Sequence, residues 1–404
     1  MKFNFVTKLL ELTQVVESPT SYLEWAAYAT IAAVLRHNVY YDFPARRTRL
    51  PPNMYILLVG DSGSTRKSTP LKISNFLLKQ IGNTKLIEGR ASIQGVLKEL
   101  AEVKTVTKPE RRMIKFASAI MYSEELAAFF VKDPSVGPIL TDIYDYKETH
   151  SITLRTQETV QLEKVCINLF SATNSAFLAD MFTKTDLYGG MVGRTIFIME
   201  NRARHKDLGL RDSNQEQDWD VLVHHLRYLS RLEGPVKLAE DALTFMEEWY
   251  NTTDFTLCES KTGFEPRAHT HALKLALVYA ACEENFKLEI QKRHCVKAVD
   301  TVTALRKNYH KLVATVGFSN NDVRQAIKDI TVILFNKSGK PVSREEIFRD
   351  LFGRIDADAF DRAIATLDQT GYITLSGTNK PLYSLSTKGK EAILGELKIT
   401  GEPQ

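Results

Sequence analysis

Apolar residues recur along this chain in three different rhythms. From Phe3 to Val39 they fall at helical spacing in two runs, FVTKLLELTQVV and SPTSYLEWAAYATIAAVLRHNV. Ser18-Pro19 opens the second run, where the pattern predicts an N-cap and a first-turn proline. The basic, proline-containing PARRTRLPPN then separates the helices from MYILLVG, a short continuous apolar run ended by glycine. Such a run predicts a strand buried on both faces of a parallel sheet. STPLKISNFLLKQI returns to helical spacing. Further buried strands are expected at FASAIMY, VCINLFSAT and RTIFIME, with helices between them. Strands alternating with helices imply an α/β domain.

After the polar NRARHKDLGLRDSNQEQD the rhythm is helical from about Trp219 to Thr315. From Asn320 it changes again. Three short helices precede YITLSGTNKPLYSLST, which reads as a two-stranded ribbon. Helices followed by a β-ribbon are the winged-helix plan.

The 404 residues carry 44% apolar and 25% charged side chains, an ordinary soluble composition for two or three domains. The net charge of +4 permits nucleic-acid binding without requiring it. Cys166, Cys258, Cys282 and Cys295 show no metal-site or disulfide spacing. WAAYATIAAVL, Trp25 to Leu35, is too short to span a bilayer and follows no signal-peptide pattern. A reducing, cytoplasmic setting without membrane partners is therefore expected.

The candidate chemistry begins at LLVGDSGSTRKSTPLKI. A Walker A loop is written G-x-x-x-x-G-K-[ST], but Arg66 stands where glycine would precede Lys67, and Asp61 where glycine would open the loop. The loop nonetheless lies between a buried strand and a helix, with Gly60 and Gly63 for close turns. Lys67 is its lysine, and Ser68 and Thr69 offer rival hydroxyls for Mg²⁺. Backbone N–H groups, a helix dipole, a lysine and a hydroxyl are what ATP phosphates need. In AIMYSEELAAFF an apolar strand ends in two carboxylates, with Glu124 expected on the metal side and Glu125 as the base that polarises water. INLFSATN delivers Asn174 to a strand end, where an amide can orient that water. GGMVGRTIFI puts Arg194 at the entry of another strand, from which a guanidinium can reach a neighbouring subunit's phosphate. Taken singly, each has an ordinary alternative in a turn, a helix start or a solvated surface.

In this order the motifs resemble the AAA+ ATPase module of minichromosome-maintenance-like replicative helicases. They also resemble the helicase-like P-loop domains of phage, plasmid and genomic-island replication proteins. The resemblance runs from Glu17 to Ala298. It implies sensor 1 at Asn174, an arginine finger at Arg194 and, from FEPRAHTHALKLALVYAA, sensor 2 at Arg267. Mobile-element relatives tolerate a loop of the form G-x-x-x-x-x-R-K-[GS]-T, which Gly60 to Thr69 fits. The expected regions are an N-terminal helical segment (1–50), a P-loop AAA+ core (51–205), a helical lid (206–318) and a winged helix (319–404).

SITLRTQETVQLEK alternates around a Thr-Gln turn and predicts a hairpin. In the helicases it resembles, a hairpin there enters the central pore, so Lys147 and Arg155 become candidate phosphate contacts. In the C-terminal region, Asp358, Asp361 and Asp368 make the third helix a poor phosphate reader. Lys380 and Lys388 on the expected wing suit it better, and protein docking suits the module equally. The expected function is an ATP- and Mg²⁺-dependent DNA helicase or translocase of a phage or mobile element, assembled as a homo-oligomeric, hexameric ring on single-stranded or forked DNA. A replication initiator or primase is an expected partner, and no primase domain is expected ahead of the ATPase because the N-terminal part is short. Two alternatives stay open: a helicase loader or initiator ATPase, and a winged-helix regulator with a degenerate ATPase fold.

Overall fold

The computed structural model describes residues 3–88, 92–101, 104–106, 113–127, 130, 133, 135–153, 159–182, 189–204, 216–255, 262–317, 321–337, 340–351, 357–376 and 381–391. The chain divides into two compact units after Val313.

The first unit opens with helices α1 (Phe5–Leu12) and α2 (Thr20–Leu35) and the hairpin β1 (Val39–Phe43) and β2 (Thr48–Leu50). The central elements follow as β3 (Tyr55–Val59), α3 (Ser68–Ile81), β4 (Lys85–Glu88), α4 (Ile93–Ala101), β5 (Ser118–Ser123) and α5 (Val136–Asp142). Next come β6 (Lys147–Thr153), β7 (Thr159–Thr173), α6 (Gly190–Arg194) and β8 (Thr195–Met199). Helices α7 (Glu216–Leu229), α8 (Glu240–Thr252) and α9 (Ala268–Ala281) follow, and α10 (Lys292–Gly317) runs across the division after Val313.

The main sheet has the order β8-β3-β7-β5-β4, with every neighbouring pair parallel, and β6 pairs antiparallel with the free part of β7. All five residues of β3 are buried, which is why its sequence is continuously apolar. A parallel sheet sends the C-terminal ends of its strands to one edge. Val59, Ser123 and Thr173 thus end side by side.

The helices and hairpin of residues 3–50 lie within the first compact unit. α2 is apolar all round and buried along nearly its whole length, the mark of a core helix. Its Thr30 hydroxyl donates to Ser74 Oγ on α3 (2.7 Å), which in turn lies 2.9 Å from the Tyr122 hydroxyl on β5. The expected cap at Ser18 is not made: Pro19 occupies the N-cap position without a side-chain bond, and the Ser18 hydroxyl reaches the carbonyl of Arg66 instead (2.8 Å). PARRTRLPPN is not a plain linker either, since it holds a helical turn at Pro44–Arg46 and the strand β2.

In the second unit, α11 (Asn321–Asn336) is followed by β9 (Val342–Ser343), α12 (Arg344–Asp350), α13 (Ala357–Gln369), β10 (Ile373–Ser376) and β11 (Leu382–Leu385). The strands pair antiparallel in the order β9-β11-β10. Ala326, Ile330 and Leu334 form one stripe of α11, which packs in a single core with Ile347, Phe360 and Leu367.

Candidate phosphate site and its arginine edge

β3 delivers the chain to Gly60. A Cβ there would lie 2.7 Å from the Glu200 carbonyl oxygen and 2.7 Å from Thr65 Oγ1, so only glycine fits without a shift. Gly63 has φ +73. Arg66 has φ +50, so the position that a usual loop gives to glycine keeps the left-handed backbone while carrying a side chain. That conformation costs about 1–2 kcal/mol for a residue with a Cβ. Two braces hold it: the Arg66 guanidinium pairs with Glu17, and Ser18 donates to its carbonyl. Elsewhere the Tyr22 hydroxyl donates to Val59 O (2.6 Å), Ala203 N to Ser64 O (2.8 Å), and the Ser175 hydroxyl to the Asp61 carboxylate. The loop is preshaped.

Lys67 folds across the loop, with Nζ donating to the carbonyls of Gly60 and Asp61 (3.1 Å for the latter). Burial lowers its pKa, against the opposing pull of the Glu125 and Asp61 charges. Ser68 and Thr69 stand half-buried on the first turn of α3, and nothing in their surroundings separates them as Mg²⁺ ligands.

β7 lies between β3 and β5, so its end separates the loop from the acidic pair. Thr173, fully buried, donates through Oγ1 to Glu125 Oε1 at 2.6 Å. Glu124 turns away; its side chain is 61% exposed and 3.7 Å from Lys72 Nζ. Asn174 caps the following turn, its side-chain oxygen accepting from Ala176 N (3.1 Å). Beside the loop lies a cleft of about 900 Å³, lined by Glu17, Ser21, Gly63, Ser64, Arg66 and Arg202.

Arg194 and Arg267 meet at the opposite edge of the sheet. Arg194 lies at the start of β8, level with Met54 just before β3. From there to Gly60 the strand runs about 20 Å at ~3.3 Å per residue. Neither arginine therefore reaches the loop of its own chain. Arg194 Nη2 pairs with Asp145 Oδ2 (2.7 Å) and Nη1 donates to Gly190 O (3.1 Å). Arg267 Nη1 donates to Gly263 O (3.1 Å), and burial followed by the Arg194 charge lowers its pKa. Gly193 lets the Gly263–Arg267 segment come close, since a Cβ there would fall 2.2 Å from Gly263 O and 3.0 Å from Arg267 Nη1.

The hairpin β6–β7 extends from this same edge, and its tip, including Arg155, lies outside the described residues. Lys147 is engaged with Asp142 (2.6 Å), which His150 also contacts. In the second unit Lys380 lies outside the described residues. Lys388 is not on the ribbon as expected: it follows β11, donates to Thr370 O (3.0 Å) and lies over the Tyr372 ring. Among the described residues no cluster of three His, Cys, Asp or Glu could hold a metal, and no helix is long and apolar enough to cross a membrane. Glu17 and Asp145 were not legible in the sequence, nor were the bonds of Ser18 to Arg66 and of Thr173 to Glu125. Each acts on a partner distant in sequence, and no motif announces it.

No family model and no curated protein matches the chain. Among solved structures, a supposed ATPase of Cytophaga hutchinsonii is similar at 11% identity, covering 77% of this chain and 95% of its own, with a TM-score of 0.33. The NrS-1 C-terminal region is similar at 10% identity, covering 95% and 76%, with a TM-score of 0.32. The Aeropyrum pernix ORC2 protein in its ADPNP-ADP complexes gives 11% identity, 86% and 89%, and 0.23. Likenesses this weak carry no functional argument.

Proposed function

We propose that the chain is a nucleoside-triphosphate hydrolase of the AAA+ type that works as a ring on single-stranded DNA. The observation that carries this reading is the preshaped loop Gly60–Lys67, flanked at one sheet edge by Glu125 and Asn174. Backbone N–H groups of the loop and the first turn of α3 bind the phosphates, and the neighbouring cleft takes the nucleoside. Lys67, now folded over loop carbonyls, turns to the phosphates. Glu125, oriented by Thr173, accepts the proton of the attacking water while Asn174 positions that water. Ser68 or Thr69 would hold Mg²⁺, with Glu124 reaching it only by turning from Lys72; the ion takes only one or two protein ligands beside phosphate and water and would neutralise developing charge. Arg194, too far from its own loop, serves the loop of an adjacent subunit, with Arg267 beside it. The second unit, whose described residues include the helices α11, α12 and α13 and a three-stranded antiparallel sheet, is read as a winged helix.

Phosphate release from ATP by the purified chain tests the reading. Lys67→Ala is expected to abolish it, since the loop loses its charge on the β/γ-phosphates. A variant that hydrolyses ATP at the parent rate would show that the loop is not the site.

A further inference from the structure

A second cavity of about 580 Å³ lies at the arginine edge, away from the phosphate loop. That volume falls within the usual range of ligand sites, ~300–1,000 Å³. Its walls come from distant segments: Phe43 before the helical turn, Tyr146 before β6, and Trp249 and Tyr250 at the end of α8. Tyr250 stays 46% exposed although it packs edge-on against His269 at 5.0 Å. Lys274 lines the cavity from below, its Nζ donating to Asn53 O (2.7 Å) and Oδ1 (2.9 Å) above the Tyr144 ring. Arg46 and Arg49 line the mouth, on the stretch Pro44–Asn53 that holds three arginines and no acid. Two acids also line the cavity: Asp145, already paired with Arg194, and Glu247. Arg49 pairs with Glu148 at 3.0 Å, which ties this mouth to strand β6 of the extended hairpin.

We propose that this cavity binds one unpaired nucleotide of a single strand, its base among the aromatic walls and its phosphates on Arg46 and Arg49. Aromatic faces beside guanidinium groups are the chemistry of sequence-tolerant single-strand binding, because every base has a face to stack and every link a charge. A purely apolar partner would leave the arginine mouth unmatched; a free phosphate would leave the rings unused. The proposal rests on the reading of the chain as acting on a single strand, but it uses no residue of the phosphate loop.

The test is fluorescence anisotropy of a labelled oligothymidylate with the full chain, without ATP, at low salt. Tyr250→Ala, a change at an exposed side chain, is expected to weaken binding about fivefold to a hundredfold. Arg46→Glu should weaken binding and flatten its salt dependence. Oligothymidylate should quench the parent's tryptophan emission more than that of Trp249→Phe. Parent-like affinity in both Tyr250→Ala and Arg46→Glu overturns the site. Quenching by thymidine monophosphate but not by the oligonucleotide overturns the strand as occupant. The loop reading fails separately: Lys67→Ala would then hydrolyse ATP normally, whatever Tyr250→Ala does to strand binding.

Discussion

Gly60→Ala adds one methyl group at the point where β3 becomes the phosphate loop. That carbon would lie 2.7 Å from the Glu200 carbonyl oxygen, 2.7 Å from Thr65 Oγ1 and 2.9 Å from Thr65 Cγ2. Ordinary contacts begin several tenths of an ångström further out. Thr65 is fully buried and its hydroxyl donates to Asp61 O at 3.3 Å, so it cannot rotate away without giving up that bond. Glu200 is tied through N to Val59 O (3.1 Å) and through its carboxylate to Ser21 (2.6 Å). The strain must therefore pass into the loop. Overpacking of this kind costs about 1–3 kcal/mol, which for a unit ending at Val313 lowers the melting temperature by roughly 2–5 °C. The sharper consequence is loss of nucleotide binding. ATP at a hundred times its Kd should stabilise the parent by ~2.7 kcal/mol, whereas the variant should show no such gain. Thermal unfolding with and without ATP and Mg²⁺ reads both effects. Gly63→Ala is the control: open space surrounds it and φ is +73, so only the backbone term of about 1–2 kcal/mol applies. A Gly60→Ala chain with the parent's melting temperature and the parent's ATP shift would refute the loop geometry.

Two further outcomes follow from the same structure. Glu125→Gln should bind ATP and fail to turn over, while Glu124→Gln, altering an exposed carboxylate beside Lys72, should retain most hydrolysis and lose some Mg²⁺ affinity; the reverse pattern in phosphate release exchanges their roles. Lys274 has its pKa pushed down to about 7 by burial, from an ordinary 10.5. Between those values the unfolded chain holds more protons, so stability rises with pH. Chemical denaturation across that window should show the parent gaining on Lys274→Met, and a pH-independent difference would contradict the burial argument.

The central strands and α3 were legible because a run buried on both faces writes itself as uninterrupted apolar residues. The loop was legible only in part. Lys67 and the two glycines could be read, but not that Arg66 takes the left-handed backbone of a glycine, because the residues that hold it, Glu17 and Ser18, come from the other side of β3 in sequence. Ser18 itself misled: a hydroxyl before a proline and an apolar run looks like a cap, and tertiary bonding to Arg66 O won instead. The pairing of Arg194 with Asp145 was invisible for a similar reason. It depends on α6 and the start of β6 meeting at one sheet edge, which strand order decides and local pattern does not.

In the proposed ring, Arg194 of an adjacent chain would complete each phosphate loop. Hydrolysis per chain, followed on dilution alongside sedimentation, tests this most directly. Removal of an arginine finger typically costs on the order of 10³-fold or more in rate, so the per-chain rate should fall toward that of Arg194→Ala as the assembly dissociates. A per-chain rate that stays constant down to the monomer would contradict the shared site.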